Sequence, residues 1–179
     1  MYAMREIKGI LFDEQTIAAK VRELAVQVSR DYAGKELVLV AILKGAVVFT
    51  ADLMRLITVP LTLDFVCALS YGAGTESSRT IIIKQDLDKD IREKHVLLVD
   101  TIVDSGETLA FLIEKLSQRH PASLKTAALL DKPSRRTIPV TIDYRGFEIP
   151  DTFVVGYGMD CGEQYRNLPV IAAMETQGS

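Results

Sequence analysis

The stretch VLLVDTIVDSGETL, residues 96–109, decides how the rest of the chain is read. It opens on four consecutive apolar residues, the pattern of a strand buried on both faces. Asp100 then ends the predicted strand, 95–100, and Asp104, Ser105, Gly106 and Thr108 follow. From Glu107 the segment ETLAFLIEKLSQR, 107–119, spaces its apolar residues as an amphipathic helix does. Amide N–H groups at a helix N-terminus favour an anion such as phosphate. Gly106 lets the backbone approach that anion, and Ser105 and Thr108 add hydroxyl donors. Two carboxylates beside a phosphate cradle repel the phosphate unless they serve something else: sugar hydroxyls, Mg²⁺ or a proton. A phosphorylated sugar bound with Mg²⁺ uses all three. The plainer alternative is that the acids cap the helix and the glycine makes a turn.

Outward from this stretch the chain alternates strands and helices. Residues 14–32 carry Ile17, Val21, Leu24 and Val28 at helical spacing, and Gly34 stops that helix. ELVLVAIL, 36–43, reads as a buried strand and 46–57 as a helix. Residues 61–71 and 80–85 read as strands around the Gly/Ser-rich loop GAGTESSR, 72–79. Residues 124–131 form a further strand, and short strands are expected around 139–143, 152–156 and 169–174. The alternation predicts an α/β fold with a largely parallel central sheet flanked by helices. Ligands of such sheets bind at the carboxyl ends of the strands near a topological switch point, where Asp100 and Asp104 fall.

The totals narrow the class. A chain of 179 residues, 48% hydrophobic and 25% charged, suits one soluble domain. The start, MYAMREIKGILFDEQ, lacks the layout of a signal peptide, and no apolar run is long enough to span a membrane, so a cytoplasmic location is expected. A net charge of −3 gives no global attraction to nucleic acid or anionic membrane. Cys67 and Cys161 are too few for a disulfide scaffold and read as free thiols. His95 and His120 alone argue against a multi-histidine zinc site or a Ser-His-Asp triad. Neither a P-loop nor a G-x-G-x-x-G fingerprint is present.

The run of apolar residues, an acid, and then D-S-G resembles the phosphoribosyl-diphosphate (PRPP) motif of the type I phosphoribosyltransferases. LKGA (43–46), SYGAGTESSR (70–79), LLDKPSRR (129–136) and GFEIPDTFVVGYGMDCGEQYRNL (146–168) follow the order and spacing of the hypoxanthine-guanine phosphoribosyltransferases. The resemblance covers nearly the whole chain from about residue 10. It implies the type I phosphoribosyltransferase fold as one domain over 1–179. Its core would span about 36–145, and terminal segments of about 1–15 and 146–179 would form a small base-binding hood. It implies Mg²⁺-dependent transfer of 5-phosphoribosyl from PRPP to N9 of hypoxanthine or guanine in purine salvage, giving IMP or GMP and diphosphate. The implied partners are those small molecules, with no nucleic acid or membrane, in a homodimer or homotetramer.

The resemblance also implies roles. Asp104 is the acid that faces N7 of the purine and takes or shares its proton. The segment Asp100, Thr101, Ile102, Val103, Asp104, Ser105, Gly106, Glu107 and Thr108 holds the ribose and its 5′-phosphate. Lys44 and Gly45, after a Leu–Lys peptide that can be cis, and Arg166 meet the diphosphate. Lys132 donates to the purine O6, Phe153 stacks on the ring, and Val154 meets the base edge through its backbone. Asp100 and Asp160 meet Mg²⁺, Asp160 at the base end of the site. Ser70 and Tyr71 belong to a lid that excludes water. Two residues depart from the family pattern. Thr101 replaces the usual second acid; it is expected to touch the ribose 3′-hydroxyl and hold Mg²⁺–PRPP more weakly. Glu107 places an acid beside the phosphate loop and is expected to turn to solvent. The Thr101 change leaves an alternative: a PRPP-sensing regulator with little turnover.

Overall fold

The computed structural model describes residues 7–71 and 80–174. The loop expected at 72–79 lies outside the described residues. Six strands form the central sheet: β2 (Leu37–Leu43), β3 (Leu61–Tyr71), β4 (Thr80–Gln85), β5 (His95–Val103), β6 (Ser123–Asp131) and β7 (Tyr144–Glu148), in the order β4-β3-β2-β5-β6-β7. All neighbours are parallel except β4, which runs antiparallel to β3. The expected α/β class with a largely parallel sheet is what the chain adopts.

Period-two alternation sends the strand side chains to two separate cores. Leu37 and Leu39 of β2 and Leu97 and Val99 of β5 meet helices α1 (Glu14–Asp31) and α2 (Val47–Met54) on one face. Val38, Val40, Ile42, Val96 and Leu98 meet Leu109, Leu112 and Leu116 of helix α3 (Glu107–Ser117) on the other. Helix α1 starts where Asp13 accepts the Thr16 N–H at 2.8 Å, satisfying one amide of its first turn. It gives way at Gly34, whose φ of +74° a side chain would resist.

A second, antiparallel sheet joins the two ends of the chain: β1 (Ile7–Phe12), β8 (Val154–Val155) and β9 (Ile171–Met174), ordered β1-β9-β8. It matches the expectation that terminal segments form a small hood.

Three boundaries differ from the sequence reading by three residues or more. Strand β5 does not end at Asp100 but continues to Val103, because β6 goes on pairing with it through Ile102↔Leu130 and Val103↔Asp131. Helix α2 stops at Met54, and the Leu56 and Ile57 N–H groups fold back onto the Leu53 carbonyl. The strand expected at 139–143 lies instead at 144–148. Residues 141 and 143 bond the Thr126 hydroxyl and backbone through Thr141 O and the Asp143 carboxylate, which replaces a ladder.

The chain runs from β2 outward to β3 and later returns to place β5 on the other side of β2. The switch point therefore lies between the carboxyl ends of β2 and β5. Leu43–Ala46 leaves one strand there and Asp104–Gly106 leaves the other.

Candidate active site

Both loops are held by groups that sequence spacing does not reveal. On the β2 side, the Leu43–Lys44 peptide is cis. The Thr101 hydroxyl donates to the Gly45 carbonyl at 2.9 Å across the switch point. Thr101 is 0% exposed, so its hydroxyl is spent inside the protein and the expected contact with a ribose does not carry forward. From the far side Gly158 (φ +96°) packs so closely that a Cβ there would strike the Gly45 carbonyl.

Asp100 is half-buried one residue before Thr101, and its carboxylate accepts the Thr101 N–H at 2.7 Å. Burial pushes its pKa up to about 6, against the smaller opposing pull of the Thr101 and Ile102 amides. It lines a cavity of about 150 Å³ with Asp104, Ser105, Gly106 and Thr108. Gly106, at φ +87°, is the N-cap of α3. The first turn of α3 thus opens toward this cavity with no lysine or arginine among the lining residues. Glu107 is half-buried, not turned fully to solvent as expected.

Asp104 stands at the rim. Its carboxylate lies 3.8 Å from the Lys132 ammonium and accepts from Arg135 at 3.1 Å. Lys132 is only 5% exposed, which fits a lysine kept for a specific partner, since a buried ammonium needs one. Arg135 also reaches Asp151 at 3.6 Å. Asp104 and Lys132 were expected to act on one purine edge, and the fold brings them together. Arg135 was not anticipated, although it lies within the quoted LLDKPSRR stretch.

The β2 loop faces a charge cluster. Lys44 pairs with Glu163 at 2.9 Å, and Arg166 pairs with Asp160 at 2.9 Å and Glu163 at 3.3 Å. Arg166 also donates to the Gly158 carbonyl at 2.8 Å. Hydrogen bonds from Lys44 and then Arg166 hold the Glu163 carboxyl below the usual carboxylate range. Lys44 and Arg166 are thus brought together by Glu163, which was missed, and Asp160, expected at the base end of the site, joins them through Arg166. Its place three residues before Arg166 in GEQYR was the available signal.

Phe153 is half-buried against Val155, Ala172 and Met174, and the adjacent Val154 is in β8. Ser70 and Tyr71 end β3, with backbone partners Ile81 and Thr80; the rest of the expected lid, 72–79, lies outside the described residues. Cys67 and Cys161 are free thiols. Among the described residues no three His, Cys, Asp or Glu side chains gather as a metal cage, and no helix is long and apolar enough to cross a membrane.

A parallel sheet whose switch point carries an anion-ready loop on one strand and a basic loop on the next defines a class that comparison makes specific. The chain belongs to the phosphoribosyl transferase family: the family's phosphoribosyl transferase domain matches residues 9–161. A hypoxanthine phosphoribosyltransferase of Salmonella typhimurium is 46% identical over 170 residues, covering 94% of this chain and 96% of the relative. A hypoxanthine-guanine phosphoribosyltransferase of Streptococcus pneumoniae is 44% identical over 172 residues, with 96% of each covered. The crystal structure of a hypoxanthine-guanine phosphoribosyltransferase from Bacillus anthracis superposes with a TM-score of 0.89 at 47% identity, covering 95% of this chain and 99% of that one.

Proposed function

We propose that the protein transfers the 5-phosphoribosyl group from PRPP to N9 of hypoxanthine or guanine. The observation that carries this reading is the buried Lys132 ammonium beside the Asp104 carboxylate, at the rim of the pocket below α3. A 6-oxopurine presents O6 and N7 on one edge. Lys132 donates to O6, and Asp104 takes the proton from N7 as N9 bonds to C1′ of the ribose. The C1′–O bond to diphosphate breaks, and the diphosphate leaves with its electron pair. Adenine is rejected because its 6-amino group is itself a donor and would leave Lys132 unpaired.

The Ser105, Gly106 and Thr108 end of the cavity receives the 5′-phosphate, and Asp100 holds ribose hydroxyls. Lys44 and Arg166 receive the diphosphate, Phe153 stacks on the base, and the Val154 backbone meets its edge. Developing positive charge on the ribose is favoured by the Asp100 and Asp104 carboxylates. Ser70 and Tyr71 close over the reacting centre.

Asp100 and Asp160 suit Mg²⁺ as the protein's share of its ligands. One Asp160 oxygen is already ion-paired with Arg166 and the other accepts the Glu163 N–H, so the pair is no cage by itself. Mg²⁺ is commonly held by one or two carboxylates with substrate phosphates and water, and that donor set fits here. When bound it neutralises charge on the leaving diphosphate. A cytoplasmic homodimer or homotetramer belongs to the same proposal.

The test is nucleotide formation from PRPP and Mg²⁺ with hypoxanthine, guanine, xanthine or adenine in turn. Turnover with hypoxanthine or guanine and none with adenine is expected. PRPP binding without turnover on any base would overturn the reading in favour of a PRPP-sensing protein.

A further inference from the structure

The segment after β6 does more than carry Lys132. Asp131, the last residue of β6, is 4% exposed. One carboxylate oxygen accepts from the Arg136 guanidinium and the other from Arg145 at 3.2 Å. The same Arg136 guanidinium uses its Nε to donate to the Asp104 carbonyl at 3.2 Å. One residue on, the Thr137 and Ile138 N–H groups both donate to the Ser105 carbonyl, at 3.0 and 3.1 Å. Gly106 is wedged against this strip: a Cβ there would lie 2.7 Å from the Ile138 carbonyl and 2.8 Å from Arg136 Cδ.

These bonds fix more than the position of a loop. In a planar trans peptide the N–H points opposite to the C=O. The carbonyls of Asp104 and Ser105 are drawn outward to 136–138, so the N–H groups of the same two peptides, those of Ser105 and Gly106, are turned the other way. That is the side of the cavity both residues line. Arg136 reaches a carbonyl and a carboxylate at once because its donors form a rigid planar fork, which a lysine ammonium lacks. Asp131 holds the fork, and its own burial is tolerable only because it is paired.

We propose that Asp131 and Arg136 are positioning residues that aim the Ser105 and Gly106 amides at the 5′-phosphate. This rests on the phosphoribosyl reading above. Neither side chain touches the substrate; Asp131 fixes Arg136, Arg136 fixes the Asp104 carbonyl, and the amides follow.

The test compares IMP with inosine, which differ by the 5′-phosphate. Their affinities are measured for wild type, Arg136→Gln, Arg136→Lys and Asp131→Asn, alongside thermal melting. Arg136→Gln and Asp131→Asn should weaken IMP about tenfold or more, as expected for misaligned bonds to a charged group, and leave inosine within about twofold. Arg136→Lys should recover melting temperature, since it keeps the charge beside Asp131, without recovering IMP affinity. This variant decides the matter if the others do not fold. IMP affinity equal to wild type in Arg136→Lys, or equal losses for IMP and inosine in any folded variant, would overturn the positioning role. A wild-type protein that binds neither IMP nor inosine would instead overturn the phosphoribosyl reading.

Discussion

The two loops proposed to receive anions are built on opposite plans. At the 104–108 end, backbone amides and a helix start face a small cavity whose lining carries no cationic side chain. At the other end, Lys44 and Arg166 are both cations, and both already hold the carboxylate of Glu163, with Asp160 on Arg166 besides. Each plan allows its site to exist before the ligand arrives. Amide dipoles need no countercharge, so they can be fixed in place by bonds on their outer side. Free cations gathered in one place repel each other and recruit the protein's own acids. The first end should bind by fitting, the second by exchanging partners. Carboxylates reflect the same split: the pKa of Asp100 is raised by burial, whereas that of Glu163 is lowered by its cations.

The largest effect is expected from breaking the fixed end. Gly106→Ala asks for a side chain at φ +87°, against the Ile138 carbonyl and Arg136. Displacing the amides by even a fraction of an ångström should lower kcat/KM for PRPP by about 100-fold. Steady-state kinetics would check this, and near-wild-type PRPP kinetics would show that the amides are not pre-aimed.

The contrast was only partly legible in the sequence. The fixed end could be read because its signals are local: an apolar run, Asp104, Ser105, Gly106, then a helical period. The strip that fixes it could not. Arg136 lies 32 residues after Asp104, and nothing in PSRRTIPVT says that its N–H groups turn toward β5. A strand was expected around 139–143, but Val140 and Ile142 pack onto the α3 core while neighbouring groups bond Thr126. Strand β1 was not foreseen as a strand, because its partner β9 lies at the opposite end of the chain. Thr101 looked like a weakened ribose ligand; only the fold shows its hydroxyl committed to Gly45.

A middle-sized effect concerns Asp100, which lines the cavity at the 104–108 end. Its folded-state pKa of about 6 lies above the unfolded value of 3.8. The acid costs little when protonated, below about pH 4; the cost grows as pH rises from about 4 to 6 and levels off above that. Asp100→Asn should remove that cost. We expect a gain on the order of 2 kcal/mol, roughly 5 °C in Tm, at pH 8 and almost none at pH 4. Equal gains at both values would mean that burial does not raise this pKa.

The smallest effect is also the most direct test of the comparison. Glu163→Gln removes the charge shared by Lys44 and Arg166 and leaves the 104–108 end untouched. Exposed ion pairs are weak, so the change should be modest. Isothermal titration of wild type and Glu163→Gln with Mg²⁺–PRPP and with IMP, at fixed ionic strength, gives the answer in one ratio. PRPP, which carries the diphosphate, should bind about threefold more tightly to Glu163→Gln, and IMP should bind the two proteins equally. PRPP binding that weakens, or IMP binding that tightens by the same factor, would contradict this.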